Sequence, residues 1–577
     1  MEFTKKVNNL IGGINPSESA FVKEAMKVSA LTTSGNGAVK YNTSGNDFVD
    51  NFAAISYFKE PRSYSEVAKD MERLWSQDPL TCLKLAVYIR MITRKPKIVG
   101  KKAIVNINKV QRGQGLKNEG IMRMLWLAIH QKETFKANFP IFIAAGSWKD
   151  VFQMLSLDLQ YHGWHGRKLD WNFFFSVISA GLVNPETTHL VRKYIPTIRT
   201  NKNCKTLESQ ADTLVGRWLA RRLFPNCEKE LAFKHYRINK SQGIAHEWQQ
   251  LISRQLYDAI NFDTIAGRAL SLLVGSKFLE NHGLTQRYTE WIQSKPTAKY
   301  TGFVFELFNP LGDKEHSYHI MDYEEATINA QFAQLVNTGK EGVNTASKLI
   351  VVRDTSGSME SKARGCNMSS FGIAKAMALY FSEFLTGYFE NAFIEFSDNA
   401  KMHKWVGETP CDKWVNDKCS CIGSTNFQSV IGLFIDLKNK GIPEEEFPTG
   451  LLCISDGEFD RSGKESNFNK AIARLEKAGF SKEYVDKFKI ILWDIPNEWY
   501  GRGNSVKFED FADAPNFFYM SGFDPAAVAF ILGKGEFEAT PRNAEELMQV
   551  AMDQELLNLL RVVKKKTVKR KVVNKKG

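Results

Sequence analysis

Cysteine and histidine are scarce in this chain of 577 residues, with eight of the first and ten of the second scattered along it. So thin a set excludes a disulfide framework. It also leaves little for zinc. The densest stretch, "HKWVGETPCDKWVNDKCSC", offers His403, Cys411, Cys419 and Cys421, with seven residues and then one between successive cysteines. Zinc sites usually pair their ligands across two to four residues, so reduced loop cysteines are the better reading. Long apolar runs are missing as well. No stretch approaches the ~18 residues that span a bilayer, and the opening "MEFTKKVNNLIGG" lacks the apolar core of a signal peptide. The expectation is a cytoplasmic protein without membrane contact. What is present, 43% hydrophobic and 24% charged residues with 12% aromatics, is the composition of a globular protein with large cores. The length calls for two or three domains.

The net charge of +13 is uneven: residues 561–577, "RVVKKKTVKRKVVNKKG", hold nine Lys or Arg and no acid, which leaves +4 for the other 560 residues. The tail is a polybasic arm that either contacts nucleic acid or simply solvates the chain. The rest is nearly balanced, so any nucleic-acid footprint there is expected to be a local patch.

Residues 1–46 are rich in Gly, Ser, Thr and Asn and read as an irregular lead-in. From 47 to 310 the apolar spacing is helical throughout. Ser63 with Glu66 three residues on forms a capping-box pattern, and "PLTCLKLAVYIRMITR", "GIMRMLWLAIHQ", "WNFFFSVISAGL" and "ADTLVGRWLARRL" follow. This predicts an all-helical array of helix pairs, with Pro-, Gly- and Lys-rich connections such as "RKPKIVGKK" and "RGQGLKN". Residues 311–345 read as a linker or connecting helix. Beyond them strand and helix alternate: "KLIVVRD", "NAFIEFS", "GLLCISD", "FKIILWDI" and "NFFYMSGF" as strands, helical segments between them, and "PAAVAFILG" opening a last helix. Near-continuous apolar strands separated by helices mean a mostly parallel sheet covered on both faces, in a domain of residues 346–540. A C-terminal helix over 541–560 and the tail complete the chain.

The turn "VVRDTSGSME" sets Asp354 at the end of the first of these strands, where ligands sit in such sheets, with Thr355, Ser356 and Ser358 following. It lacks the glycines and lysine of a phosphate loop and the G-x-S-x-G of a nucleophilic serine. Alternating oxygens at 354, 356 and 358 suit a hard cation such as Mg²⁺, which keeps several waters and needs few protein ligands. A plain helix cap would use the same residue types. Two more strand ends bear on the choice: "CIGSTNFQSV" brings Thr425 and "LLCISDGEFD" brings Asp456.

In that order and loop placement, Asp354, Ser356, Ser358, Thr425 and Asp456 resemble the metal-ion-dependent adhesion site of von Willebrand factor A domains. The resemblance implies a Rossmann-like fold for this half and Mg²⁺, or another divalent cation, bound by the three hydroxyls and by the two carboxylates directly or through water. Such a cation accepts a carboxylate from an acidic protein partner. "TTSGNGAVKYNTSGNDFVDNF", "RGQGLKNEG", "GSWKDVF" and "LVGRWLARRL", with "ISDGEFD", "IILWDIP" and "YMSGF", resemble an uncharacterised family that joins a TROVE-type helical domain to a C-terminal von Willebrand factor A domain. More distantly the chain is similar to the Ro ribonucleoprotein family, whose helical repeats close into a ring and bind small noncoding or misfolded RNA.

The resemblance therefore implies a multidomain, monomeric, non-enzymatic RNA-binding protein. The candidate RNA contacts are basic residues in helical connections: Arg112 beside Arg94, Lys95, Lys97, Lys101, Lys102 and Lys109; Lys193, Arg199, Lys202 and Lys205; and Lys234, His235, Arg237 and Lys240. Lys and Arg would neutralise phosphates, and Tyr194 or Tyr236 would stack on unpaired bases. Trp148 reads as packing between helices. The alternative from another class is a protein-interaction scaffold that binds no RNA. No second carboxylate cluster or catalytic histidine speaks for an enzyme.

Overall fold

A computed structural model describes residues 31–33, 39–41, 43–54, 62–100, 103–243, 247–300, 302–312, 320–340, 348–363, 366–419, 421–457, 459–460, 466–495, 515–521 and 541–563. The helix expected at "PAAVAFILG", Lys101 and Lys102, and the tail from 564 onward lie outside these residues. The chain folds as two compact units: residues 1–60 with 251–551, and residues 61–250 with 552–577. The helical patterning of 47–310 is thus distributed over both units.

The unit of 61–250 and 552–577 is mainly helical. Helix Tyr64–Gln77 starts at the expected capping box, with the Glu66 N–H donating to the Ser63 hydroxyl at 3.3 Å and the Ser63 N–H to the Glu66 carboxylate at 2.8 Å. Buried helices Pro79–Arg90, Lys117–His130, Lys132–Ala145 and Trp148–Gly166 follow, then Trp171–Val183, Leu207–Leu223 and Lys229–Ser241. The expectation of an all-helical array needs one correction. Strands β3 (Lys97–Val99) and β4 (Ile104–Asn106) pair antiparallel within it, because β-branched Ile98, Val99, Ile104 and Val105 favour extended backbone. Ile104 and Val105 stay exposed, so no apolar periodicity marks the ribbon.

Residues 552–563 close this unit. Gln554 donates to the Arg112 carbonyl at 2.8 Å and accepts from its N–H at 2.6 Å. The Leu556 N–H reaches Gln111 at 2.9 Å. Buried Asn138 donates to the Arg561 carbonyl at 2.7 Å and accepts the Arg561 N–H at 3.0 Å.

In the other unit, β1 (Leu31–Thr33) and β2 (Val39–Tyr41) pair antiparallel, where an irregular lead-in was expected. Helices between Gly267 and Lys340 precede a six-stranded mixed sheet. Its strands are β5 (Leu349–Asp354), β6 (Ala392–Phe396), β7 (Ala400–Lys404), β8 (Gly450–Ser455), β9 (Lys489–Asp494) and β10 (Phe517–Ser521), in the order β10-β9-β8-β5-β6-β7. All neighbours are parallel except β6 and β7. β5 and β8 are buried at every residue, as a doubly covered parallel sheet requires. On one face Ile350, Val352, Ile394, Leu451 and Leu492 join Phe427, Phe434 and Phe468 in one core. β7 was missed because "AKMHK" is an edge strand, and its lysines, like those of many edges, discourage pairing with another chain.

Candidate metal site and basic surfaces

β5 and β8 are neighbours although two strands separate them in sequence. Strand order reverses between them, and the carboxyl ends flanking such a reversal form a crevice. Asp354 ends β5 and Asp456 follows β8. Both are buried, Asp354 fully. Burial, then the charge of Asp456, pushes the Asp354 carboxyl up to about 7, against the opposing hydrogen bonds from Ser455 and Ser356. The Ser455 hydroxyl donates to Asp354 at 2.5 Å and the Ser356 N–H at 2.8 Å. The Ser356 and Ser358 hydroxyls stand 3.2 Å apart. Thr355, named with them in the sequence, turns away and donates to the Phe396 carbonyl at 3.0 Å. Buried Thr425 lies on the loop before helix Gln428–Asn439, fixed by its N–H to the Asp460 carboxylate at 3.1 Å and its carbonyl to the Asp460 N–H at 3.0 Å.

Two buried carboxylates that oppose each other's ionisation, with hydroxyls beside them, fit a hard divalent cation, which would relieve the repulsion. Asp354, Ser356, Ser358, Thr425 and Asp456 would hold it. Among the described residues no group of three or more His, Cys, Asp or Glu side chains forms a metal site. The candidate site has two carboxylates, and His403, Cys411, Cys419 and Cys421 do not assemble. His403 instead approaches Glu395 at 2.8 Å, and among the described residues the cysteines form no disulfide.

Behind Asp354 the structure holds an ionic cluster that sequence reading passed over. Fully buried Arg353 grips Asp417 through both guanidinium ends, at 2.5 and 3.2 Å, and reaches Glu395, its partner across β6, at 3.4 Å. Phe393 and Phe371 cover the guanidinium at 4.5 and 4.9 Å. Lys375, pushed down to about 8 chiefly by burial, approaches Asp417 at 3.5 Å and sits over the Trp414 ring. The available signal was an arginine inside the apolar run "LIVVRD", since a buried arginine has to be paired.

The candidate RNA contacts divide into three kinds. Some are built into the fold. Arg94 donates to the carbonyls of Ala144 and Gly146 at 2.8 and 2.7 Å, Lys97 pairs with Glu186 at 2.5 Å, and Arg199 pairs with Asp212 at 3.5 Å. Arg112 anchors residue 554 through its main chain. Others, Lys202, Lys205 and Lys234, stand exposed. Lys193, Arg237 and Lys240 come together around one cavity. One expectation fails: Tyr236 is fully buried and donates to the Pro196 carbonyl at 2.9 Å, so it cannot stack on a base. Its helical spacing places it in the core. Trp148 is buried between helices, its ring against Gly181. Lys117, which sequence reading did not single out, is pushed down to about 8 by burial and then by the adjacent ammonium of Lys149.

Charge is sorted between the units. The helical unit has 40 Lys or Arg against 17 Asp or Glu, a net +23, whereas the sheet-bearing unit has 37 against 47, a net −10. Without residues 561–577 the helical unit still holds 31 Lys or Arg against 17 Asp or Glu, a net +14, so the +4 of the first 560 residues is a sum of opposites.

A family model described as "Domain of unknown function (DUF7788)" matches residues 348–576. No curated protein matches the chain. Among solved structures, the crystal structure of the Deinococcus radiodurans RO (RSR) protein is similar over 88% of this chain and 99% of that one, at 11% identity and a TM-score of 0.44. A likeness at that level carries no argument about function. Among the described residues, no helix is long and apolar enough to cross a membrane.

Proposed function

We propose that this is a non-enzymatic RNA-binding protein in which the helical unit engages structured or single-stranded RNA and the sheet-bearing unit binds an acidic protein partner through Mg²⁺ or a similar cation. The observation that carries the RNA reading is the sorting of charge. A net +23 on one unit, opposed to −10 on the other, supplies the sequence-independent attraction for phosphates that underlies nucleic-acid binding. The switch-point crevice supports the cation reading. Few charged ligands would leave the cation electrophilic, so that it takes a partner's carboxylate, and no step of bond making or breaking is needed.

The test is filter binding of bulk RNA by the full chain across a salt series. Five phosphate contacts to single strands would cost about a hundredfold in affinity between about 50 and about 200 mM salt. A chain lacking 564–577 should retain binding with a shallower slope. Failure to retain RNA at low salt would remove the RNA reading in favour of a protein-interaction scaffold.

A further inference from the structure

Three of the basic residues singled out in the sequence share one cavity. Lys193, Arg237 and Lys240, with Ser241, Gly243 and Gln249, line a space of about 380 Å³ within the helical unit. None of the six is acidic. Arg237 and Lys240 stand three residues apart on helix Lys229–Ser241, one above the other, and Lys193 lies in the last turn of helix Thr188–Tyr194.

The hollow follows from how the two helices end. A Cβ at Gly243 would meet the Lys193 nitrogen at 2.2 Å and the Arg192 carbonyl carbon at 2.4 Å, so the chain leaving one helix lies flat on the end of the other. Lys240 pins the junction by donating to the carbonyls of Ile195 at 2.5 Å and Lys193 at 3.3 Å. Burial, then Arg199, lowers its pKa, with Asp212 opposing. Asp212 itself pairs with Arg199. Neither Lys193 nor Arg237 has an acidic partner among the described residues, and the Lys193 ammonium only overlies the Tyr194 ring at 5.6 Å. The result is a small concavity with two unspent cations and a third behind them.

We propose that this cavity is a phosphomonoester site that takes the terminal phosphate of an RNA strand. The inference rests on the RNA reading above and sharpens it. A volume near the lower end of small-ligand pockets admits a phosphate with its sugar and excludes a duplex. A terminal phosphate approaches a double negative charge at neutral pH, whereas a backbone diester carries one. The guanidinium fork and ammonium groups therefore favour the terminus.

The experiment titrates the full-length protein with one oligoribonucleotide in three forms: 5′-phosphorylated, 3′-phosphorylated and without a terminal phosphate. The matching nucleoside monophosphate is added as competitor. One phosphorylated form should bind about tenfold more tightly than the unphosphorylated one, as for one strong charge-assisted contact. The double substitution Lys193→Gln with Arg237→Gln should erase that advantage. Lys202→Gln, outside the cavity, should weaken all three forms alike. Equal binding of all three by the wild type overturns the site and leaves the RNA reading standing. An advantage that survives the double substitution overturns it too. Binding of the mononucleotide without binding of any oligonucleotide upholds the phosphate site, assigns it to a free nucleotide and removes the RNA reading.

Discussion

Replacing Asp417 with asparagine tests the sheet-bearing unit where its electrostatics are most exacting. The substitution keeps size and shape, but it strips the fully buried Arg353 guanidinium of its two-point carboxylate partner, leaving only Glu395 at 3.4 Å. Breaking a buried ion pair from one side costs about 3–5 kcal/mol, because the remaining charge stays desolvated. With Glu395 still present the lower figure applies. About 3 kcal/mol is two decades in an opening equilibrium, so β5 amides should exchange with deuterium about a hundredfold faster at pH 7. Adding Arg353→Met should restore part of the protection, since the buried guanidinium is then gone and Lys375 keeps its hydrogen bond to the Asp417 carbonyl at 3.2 Å. Burial works to raise the Asp417 carboxyl, but Arg353, with Lys375 beyond it, outweighs this and holds the group below its usual value. A depressed carboxyl stabilises above the unfolded value near 3.9 and stops doing so as pH falls through the folded value. The gap between wild type and Asp417→Asn should therefore close in acid. An acceleration under tenfold at pH 7, or one no smaller below pH 3, would refute the pairing.

Two further outcomes follow from the geometry. Asp354→Ala should abolish the rise in melting temperature that Mg²⁺ gives the wild type while leaving the helical unit folded by circular dichroism; equal rises in both proteins would remove Asp354 from the site. Asn138→Ala takes away two hydrogen bonds to the main chain of Arg561, worth about 1–3 kcal/mol. Trypsin should then cleave after Arg561 several-fold faster, and unchanged cleavage would show that residues 561–563 are held by something else.

Much of the sheet and the candidate site was legible because both rest on local pattern. Each of β5, β8 and β9 is a continuous apolar run, and each of Asp354 and Asp456 ends one, so position along the chain already gave position in the crevice. Ser63 with Glu66 was readable for the same reason: a capping box spans three residues. The contacts that escaped are remote in sequence. Arg353 meets Asp417 across 64 residues, and no local rule selects that acid among its neighbours. Tyr236 shows the converse failure, since a tyrosine between basic residues reads equally as a stacking platform or as core, and only packing against Pro196 decides. The charge of the helical unit was passed over because only the net charge of the first 560 residues was read. Residues 61–250 alone hold 31 Lys or Arg against 15 Asp or Glu, but only the division into units shows where that basic stretch begins and ends.

That interleaving bears on how the protein is made. Thr134, Asn138 and Gln111 emerge from the ribosome 429, 423 and 445 residues before the partners that satisfy them. Closing an unstructured loop of that length costs about 5 kcal/mol of chain entropy. The inserted segment, once folded, takes up that slack in advance, so the basic unit inherits part of its stability from a neighbour's folding. A lesion at Asp417 would then slow completion of the helical unit as well.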